Sequence, residues 1–184
     1  MSLSRIKVRL ILLVLFSITG LVGCSSAGPF DSIRTQGFVD LDRFSGDWYV
    51  IASIPTVLEK DAFNAVETYE KPVDGRVATT FRFNKGALDG PEKIYHPTGF
   101  VRDASSNAVW GMQFIWPIKA EYRIVYVDEP YDVTIIGRSK RDYVWIMART
   151  SSIPDTQYQS LLNIVRAEGY DLSAIRKVPH SRPE

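Results

Sequence analysis

Val39-Asp40-Leu41-Asp42-Arg43-Phe44-Ser45-Gly46-Asp47-Trp48-Tyr49 opens the part of the chain that folds, and together with the runs downstream of it decides the architecture. Alone, the Gly46-Asp47-Trp48 step carries little weight. From there to about Arg149, short runs rich in Val, Ile, Tyr, Phe, Trp and Thr are separated by turn signals: Val73-Asp74-Gly75, Asp89-Gly90-Pro91, Asp103 to Asn107, Asp128-Glu129-Pro130 and Arg138 to Asp142. Short apolar runs with tight connections mark an antiparallel sandwich or a meandering barrel. They place strands at about 47–54, 65–71, 76–84, 92–101, 108–115, 121–127, 132–137 and 143–149. Beyond the last, Ile153-Pro154-Asp155 starts a helix with proline in its first turn, Leu161, Leu162 and Val165 supply its apolar stripe, and Gly169 ends it. Eight strands are best closed by rolling the sheet on itself, which removes its edges. The expected class is all-β: an eight-stranded antiparallel up-and-down β-barrel with one C-terminal α-helix packed outside.

Upstream of the barrel the chain reads differently. Arg5, Lys7 and Arg9 stand without a nearby acid, and Leu10 to Leu21 is an almost unbroken apolar run. This is the order of a secretory signal, and about 12 apolar residues fall short of the roughly 20 that span a bilayer as a helix. Leu21-Val22-Gly23-Cys24 comes next and resembles the bacterial lipobox, which implies cleavage before Cys24, a diacylglycerol on its thiol and an acyl group on its amine. By the same resemblance, Ser25 in place of aspartate implies sorting to the outer membrane, with the domain facing the periplasm. The expected organisation is a signal peptide over 1–23, a lipidated tether over 24–36 and a barrel domain over 37–184. Loss of residues 1–23 removes three of the 22 basic residues and none of the 21 acidic ones, taking the net charge from +1 to −2. No basic stripe remains for nucleic acid. With the single cysteine given to lipid, the domain has no internal disulfide, thiolate nucleophile or zinc-thiolate site.

The opening stretch resembles the first motif of the lipocalins, a helical turn leading into Gly46-x-Trp48 at the start of the first strand. Ile54-Pro55 to Glu59-Lys60 is similar to the long first loop that covers the barrel mouth in that family. Asp128-Glu129-Pro130-Tyr131 through Ile136-Gly137 resembles its second motif, and Arg141 to Thr150 its third. The third block and the helix after it look like the bacterial outer-membrane lipocalins and their plant and apolipoprotein D-like relatives. The resemblance runs from Phe38 to about Val178; Thr79 to Phe83 and Phe114-Ile115-Trp116-Pro117-Ile118 depart from it. It implies a structural role for Gly46, Trp48 and Arg149. Trp48 at one barrel end needs a cap, and a planar cation from the last strand can supply it, worth ~0.5 to 2 kcal/mol when partly desolvated.

Alternate residues of a small barrel face inward and leave room for one small ligand. By alternation the inward set is Val77, Thr79, Phe81 and Phe83 on the third strand and Trp110, Met112 and Phe114 on the fifth. Tyr122 and Ile124 on the sixth and Trp145 and Met147 on the eighth join it, although both parities there are apolar and a register slip of one would invert each set. Four Trp, nine Tyr and nine Phe offer more aromatic surface than a plugged barrel needs, which favours a concave apolar site. Lys60, Arg82 and Lys85 are the bases that could meet a carboxylate or phosphate at the mouth.

Catalysis has little support. His96 and His180 are the only histidines, and neither has a nearby nucleophile or a metal-ligand spacing. No cofactor is expected. The resemblance implies a non-enzymatic binder of a fatty acid or lysophospholipid, for storage or transport in envelope maintenance under stress. Two alternatives stand beside it: an enzyme of this fold acting on an apolar substrate, and a structural envelope lipoprotein with a filled barrel. Turnover lost with a single mouth residue would favour the first, and inward aromatics interlocked without a void the second. Outward aromatics such as Trp116 make a homodimer feasible.

Overall fold

A computed structural model describes residues 32–181; Cys24 and the expected signal peptide lie outside them. The chain enters through a single helical turn, α1 (Leu41–Phe44), capped by the Asp40 carboxylate, which accepts from the backbone N–H groups of Asp42 and Arg43. Gly46, at φ +99°, then turns the chain into the sheet, a conformation open to glycine and costly for residues with a Cβ.

The strands are β1 (Gly46–Ile54), β2 (Ala62–Tyr69), β3 (Arg76–Lys85), β4 (Glu92–Tyr95), β5 (Thr98–Val101), β6 (Val109–Ile115), β7 (Ile118–Val127), β8 (Val133–Gly137), β9 (Val144–Ala148) and β10 (Arg176–Lys177). All pairings are antiparallel, and β1 pairs with β9 as well as β2, so the sheet closes. β4 and β5 both pair with β3 and together make one barrel strand. The sequence read them as a single run over 92–101. Pro97 divides it, because proline has no N–H to give to the ladder. The result is a closed eight-stranded antiparallel barrel.

Three further boundaries move. β2 begins at Ala62 rather than 65, and its register slips between Phe63 and Val66, where Asn64 takes a positive φ of 50°. Asparagine is among the few residues that tolerate that region. β7 begins at Ile118, paired across a tight hairpin with Ile115, which leaves Trp116 at the tip, 83% exposed. β10, two basic residues between Ile175 and Val178, adds to β1 beside Ala52 and Ser53 and carries no sequence signal of its own.

Helix α2 (Asp155–Ala167) lies outside, burying Tyr158, Leu161 and Val165 against the outward residues Ile51, Val125, Ile135, Val144 and Ile146. Gly169 ends it at φ +86°. Ile33 to Gln36, expected within the tether, pack on the barrel instead. Ile33 is buried beside Gly137 and Tyr170, Arg34 pairs with Glu168 at 2.7 Å, and the Gln36 N–H donates to the Ile124 carbonyl at 2.9 Å.

Candidate ligand-binding cavity

One end of the barrel is packed shut. Phe44, Trp48, Tyr69 and Trp110 interlock there, with ring centroids 5.1 to 5.9 Å apart along the contacting pairs. Trp48 donates its indole N–H to the Phe44 carbonyl at 2.8 Å. Arg149 covers the same ring from outside, its guanidinium carbon 3.8 Å from the ring centroid. Its N–H groups donate to the carbonyls of Arg43 at 2.7 Å, Asp47 at 2.8 Å, Ser45 at 3.0 Å and Tyr131 at 3.2 Å. One side chain thus ties α1, β1 and the β7–β8 connection to the end of β9.

Above this floor the strands enclose a cavity of about 330 Å³, open at the other end. Its walls include Phe81 from β3, Met112 and Phe114 from β6, Tyr122 from β7 and Trp145 from β9, and Thr56 to Glu59 overhang it from the β1–β2 loop. These five wall residues belong to the inward set read from the sequence. Six others of that set do not line the cavity. Trp110 stacks on Tyr122 in the floor with centroids 5.2 Å apart, and Phe83 is fully packed beside Phe81 and Tyr95. Ile124 and Met147 are buried in the same inner core, as are Val77 and, at its margin, Thr79. Alternation gives the facing direction, whereas the depth along the strand decides whether a side chain borders a void.

The cavity also holds charged residues that strand alternation did not bring forward. Glu67, in line with Ala65 and Tyr69 on the inner face of β2, is 8% exposed and lines the cavity. The Tyr69 hydroxyl donates to its Oε2, and Tyr69 and Tyr122 hydroxyls lie 2.6 Å apart. Since the single Tyr69 proton goes to the carboxylate, Tyr122 donates to Tyr69. Burial pushes the Glu67 carboxyl up to about 7; the Tyr69 hydrogen bond opposes the rise and the charge of Glu59 adds to it. Burial likewise raises both phenols well above their ordinary value. Glu59 is held by the Trp145 indole N–H at 3.0 Å and the Thr56 backbone N–H at 2.8 Å.

At the rim, Arg138 is the cation that lines the cavity among the described residues. Its Nη1 lies 3.3 Å from Asp142, its guanidinium leans on the Tyr143 ring at 5.2 Å, and its Nε is buried without a hydrogen-bond partner among the described residues. Lys60, Arg82 and Lys85 do not line the cavity: the first and last are exposed, and Arg82 faces outward, 3.6 Å from Asp47. Arg138 sits in a stretch legible only as a turn, so its direction was not accessible from alternation. The histidines lie apart. His96 approaches the Thr80 hydroxyl at 3.3 Å and His180 the Val50 carbonyl at 2.9 Å, both away from the cavity.

A closed meander, a tryptophan floor under an arginine and an apolar cavity agree with comparison at the family level: a model for the lipocalin-like domain matches residues 39–180. The chain is a lipocalin. It is 28% identical over 152 residues to temperature-induced lipocalin-1 of Arabidopsis thaliana, covering 78% of this chain and 80% of that one. It is 29% identical over 157 residues to the outer membrane lipoprotein Blc of Citrobacter freundii, covering 84% and 86%. Among solved structures, insecticyanin from the tobacco hornworm Manduca sexta superposes with a TM-score of 0.66 over 83% of this chain and 87% of that one, at 12% identity. That last likeness concerns the fold alone. Members of this family are binding and transport proteins, and this lipocalin has the hollow that such binding requires.

Proposed function

We propose that this lipocalin holds one long-chain amphiphile, a fatty acid or a lysophospholipid, in its barrel, and exchanges it with the outer membrane to which Cys24 anchors it. The observation that carries the reading is the cavity. Its volume of about 330 Å³ falls within the roughly 300–1,000 Å³ typical of small-molecule sites. Its walls are mainly aromatic and aliphatic, and Arg138 at the open end is the cation among the described lining residues that would meet a phosphate or carboxylate. Storage or transport of envelope lipids under stress is the role that fits such a binder.

The anchoring half rests on Cys24, on the lipoprotein relatives of the same family, and on where the chain emerges. Ile33, nine residues after Cys24, packs beside Gly137 at the open end of the barrel. Nine residues reach at most ~30 Å, so an anchored barrel keeps its mouth near the bilayer; that it faces the periplasm is part of the same proposal and rests on Ser25 after the lipobox. Acyl chains contribute ~0.8 kcal/mol per buried methylene, enough in combination for a lasting anchor. Local exchange fits this geometry better than long-range carriage.

The test is native mass spectrometry of the purified, delipidated protein offered lysophospholipid and fatty acid separately. A saturable one-to-one complex with either is expected; absence of both overturns the reading. Cell fractionation of Cys24→Ser checks the anchor, which predicts a shift from membrane to soluble fractions.

A further inference from the structure

From the hydrogen-bond count at the cavity floor we infer that the ligand carries a donor, a primary amine before a hydroxyl, at its buried end, where it caps the free Oε1 of Glu67. This rests on the barrel being an amphiphile site and narrows that reading: an ionised fatty acid has no hydrogen-bond donor at either end, so it is expected to bind more weakly than a chain that brings an amine.

With Glu67 ionised, three groups share two protons. Tyr122, Tyr69 and the Glu67 carboxylate bring two hydroxyl hydrogens between them, and both are consumed in the chain Tyr122 to Tyr69 to Glu67 Oε2. Oε1 accepts no hydrogen bond among the described residues. It belongs to a side chain that is more than nine-tenths buried and lines the cavity, so the acceptor it leaves unfilled is offered to whatever occupies the hollow. Oε1 opens onto the hollow, so a chain that fills the cavity shields it from water and must offer a donor in exchange; a donor that is also a cation serves best, because charge-assisted hydrogen bonds are roughly twice as strong as neutral ones.

The surrounding charge agrees. Glu59, from the loop above, presents a second carboxylate whose two oxygens already hold the Trp145 indole and the Thr56 N–H. Glu121 lines the wall nearer the mouth, satisfied by Arg123 and Ser139. Arg138, at the rim, is offset by Asp142. Acidic groups therefore line the hollow from the overhanging loop to the floor. A carboxylate entering head first would face Glu67 and Glu59 with like charge, while a methyl end would leave Oε1 without a partner. An ammonium answers both. The raised proton affinity of Glu67 fits this arrangement, since an empty site supplies its own proton where a cationic ligand would take its place.

The experiment uses three probes of one chain length, dodecylamine, dodecanol and dodecanoate, with the purified protein at pH 8.5, read by native mass spectrometry and by fluorescence of Trp145 in the cavity wall. The expected order of one-to-one affinity is amine, alcohol, carboxylate, with roughly tenfold or more between first and last. Glu67→Gln should cut amine affinity about tenfold and leave the alcohol within about threefold, which a merely surface-bound amine would not show. Should that variant fail to fold, wild type alone decides at pH 5.5, where Glu67 carries its proton and the amine must lose its advantage over the alcohol. Tyr69 and Tyr122, the other groups against it, keep their protons throughout, and Glu59→Gln is the control for the second carboxylate that acts on Glu67. If dodecanoate or dodecanol binds as tightly as the amine, the inference is overturned while the amphiphile reading stands. If none of the three binds, both fall.

Discussion

Arg149 lies over the Trp48 indole at 3.8 Å from its centroid while giving hydrogen bonds to four backbone carbonyls from three separate segments. The two contributions need the same group, planar, always charged and forked. Lysine has the charge and neither the plane nor the fork. Arg149→Lys should therefore lose the stacked contact and at least two of the four hydrogen bonds. The expected cost is about 2 kcal/mol, or a fall in Tm of about 4–8 °C for a domain of this size, read by thermal unfolding. An unchanged Tm would show that the cap does not hold the closed end together.

Glu67 makes stability depend on pH in a direction opposite to that of most carboxylates. Its folded value is raised from 4.5 to about 7 by burial. Below pH 4.5 the group is protonated in both folded and unfolded chains and costs nothing. As pH rises through 7 the folded chain must bear a buried charge, and about 3 kcal/mol of stability is lost by pH 8. Glu67→Gln has no proton to lose. Urea unfolding at pH 5 and pH 8 should show the substituted protein gaining on wild type by roughly that amount at the higher pH, and an equal difference at both would contradict the burial argument.

How far the sequence reaches can be followed strand by strand. On β3 the inward Val77, Thr79, Phe81 and Phe83 alternate with Ala78, Thr80 and Arg82, because that strand has water on its other side, and its facing was legible. β8 is buried along its whole length and β9 nearly so, since α2 covers their outer face, and period-two alternation vanishes there for that reason. Tyr122, Ile124, Trp145 and Met147 do face inward, but the pattern that would demonstrate it is absent from the sequence. Depth was less legible still. Nothing local distinguishes Met112, against the void, from Trp110, two residues lower in the packed floor. Glu67 could have been noticed as an acid in the inward parity of an apolar strand, between Ala65 and Tyr69. Arg138 and Glu59 reach the cavity from loops, and loop direction is set by tertiary contacts alone.

Two glycines separate a rigid neighbour from a pliable one. A Cβ at Gly99 would stand 2.9 Å from Cε3 of Trp110, a ring 1% exposed, stacked on Tyr122 and pinned by a 2.6 Å hydrogen bond to the Asn107 carbonyl. That ring cannot yield without disturbing the floor, so Gly99→Ala should cost about 1–3 kcal/mol. A Cβ at Gly111 would meet the Arg102 guanidinium at 2.7 Å, the far end of a flexible side chain. Gly111→Ala should stay within about 0.5 kcal/mol of wild type. Chemical denaturation of the pair provides the check, and equal losses would mean that the floor is softer than its packing implies.

Ala120 offers a way to close the cavity without unsettling the barrel. It lines the hollow and pairs across the ladder with Met112, on the same inward face of β7 as Tyr122 and Ile124. A large side chain placed there projects into empty space instead of into packed neighbours, so overpacking, which costs typically ~1–3 kcal/mol in a filled core, should be avoided. Ala120→Trp is expected to change unfolding free energy by less than about 1 kcal/mol while weakening ligand binding at least about tenfold, because each bound methylene it displaces is worth ~0.8 kcal/mol. Stability by denaturation and binding by native mass spectrometry separate the two effects. Binding that survives the filled cavity would place the ligand outside the barrel, on the exposed rim around Trp116 or in the groove beside His180, and the central premise of the functional reading would have to be moved with it.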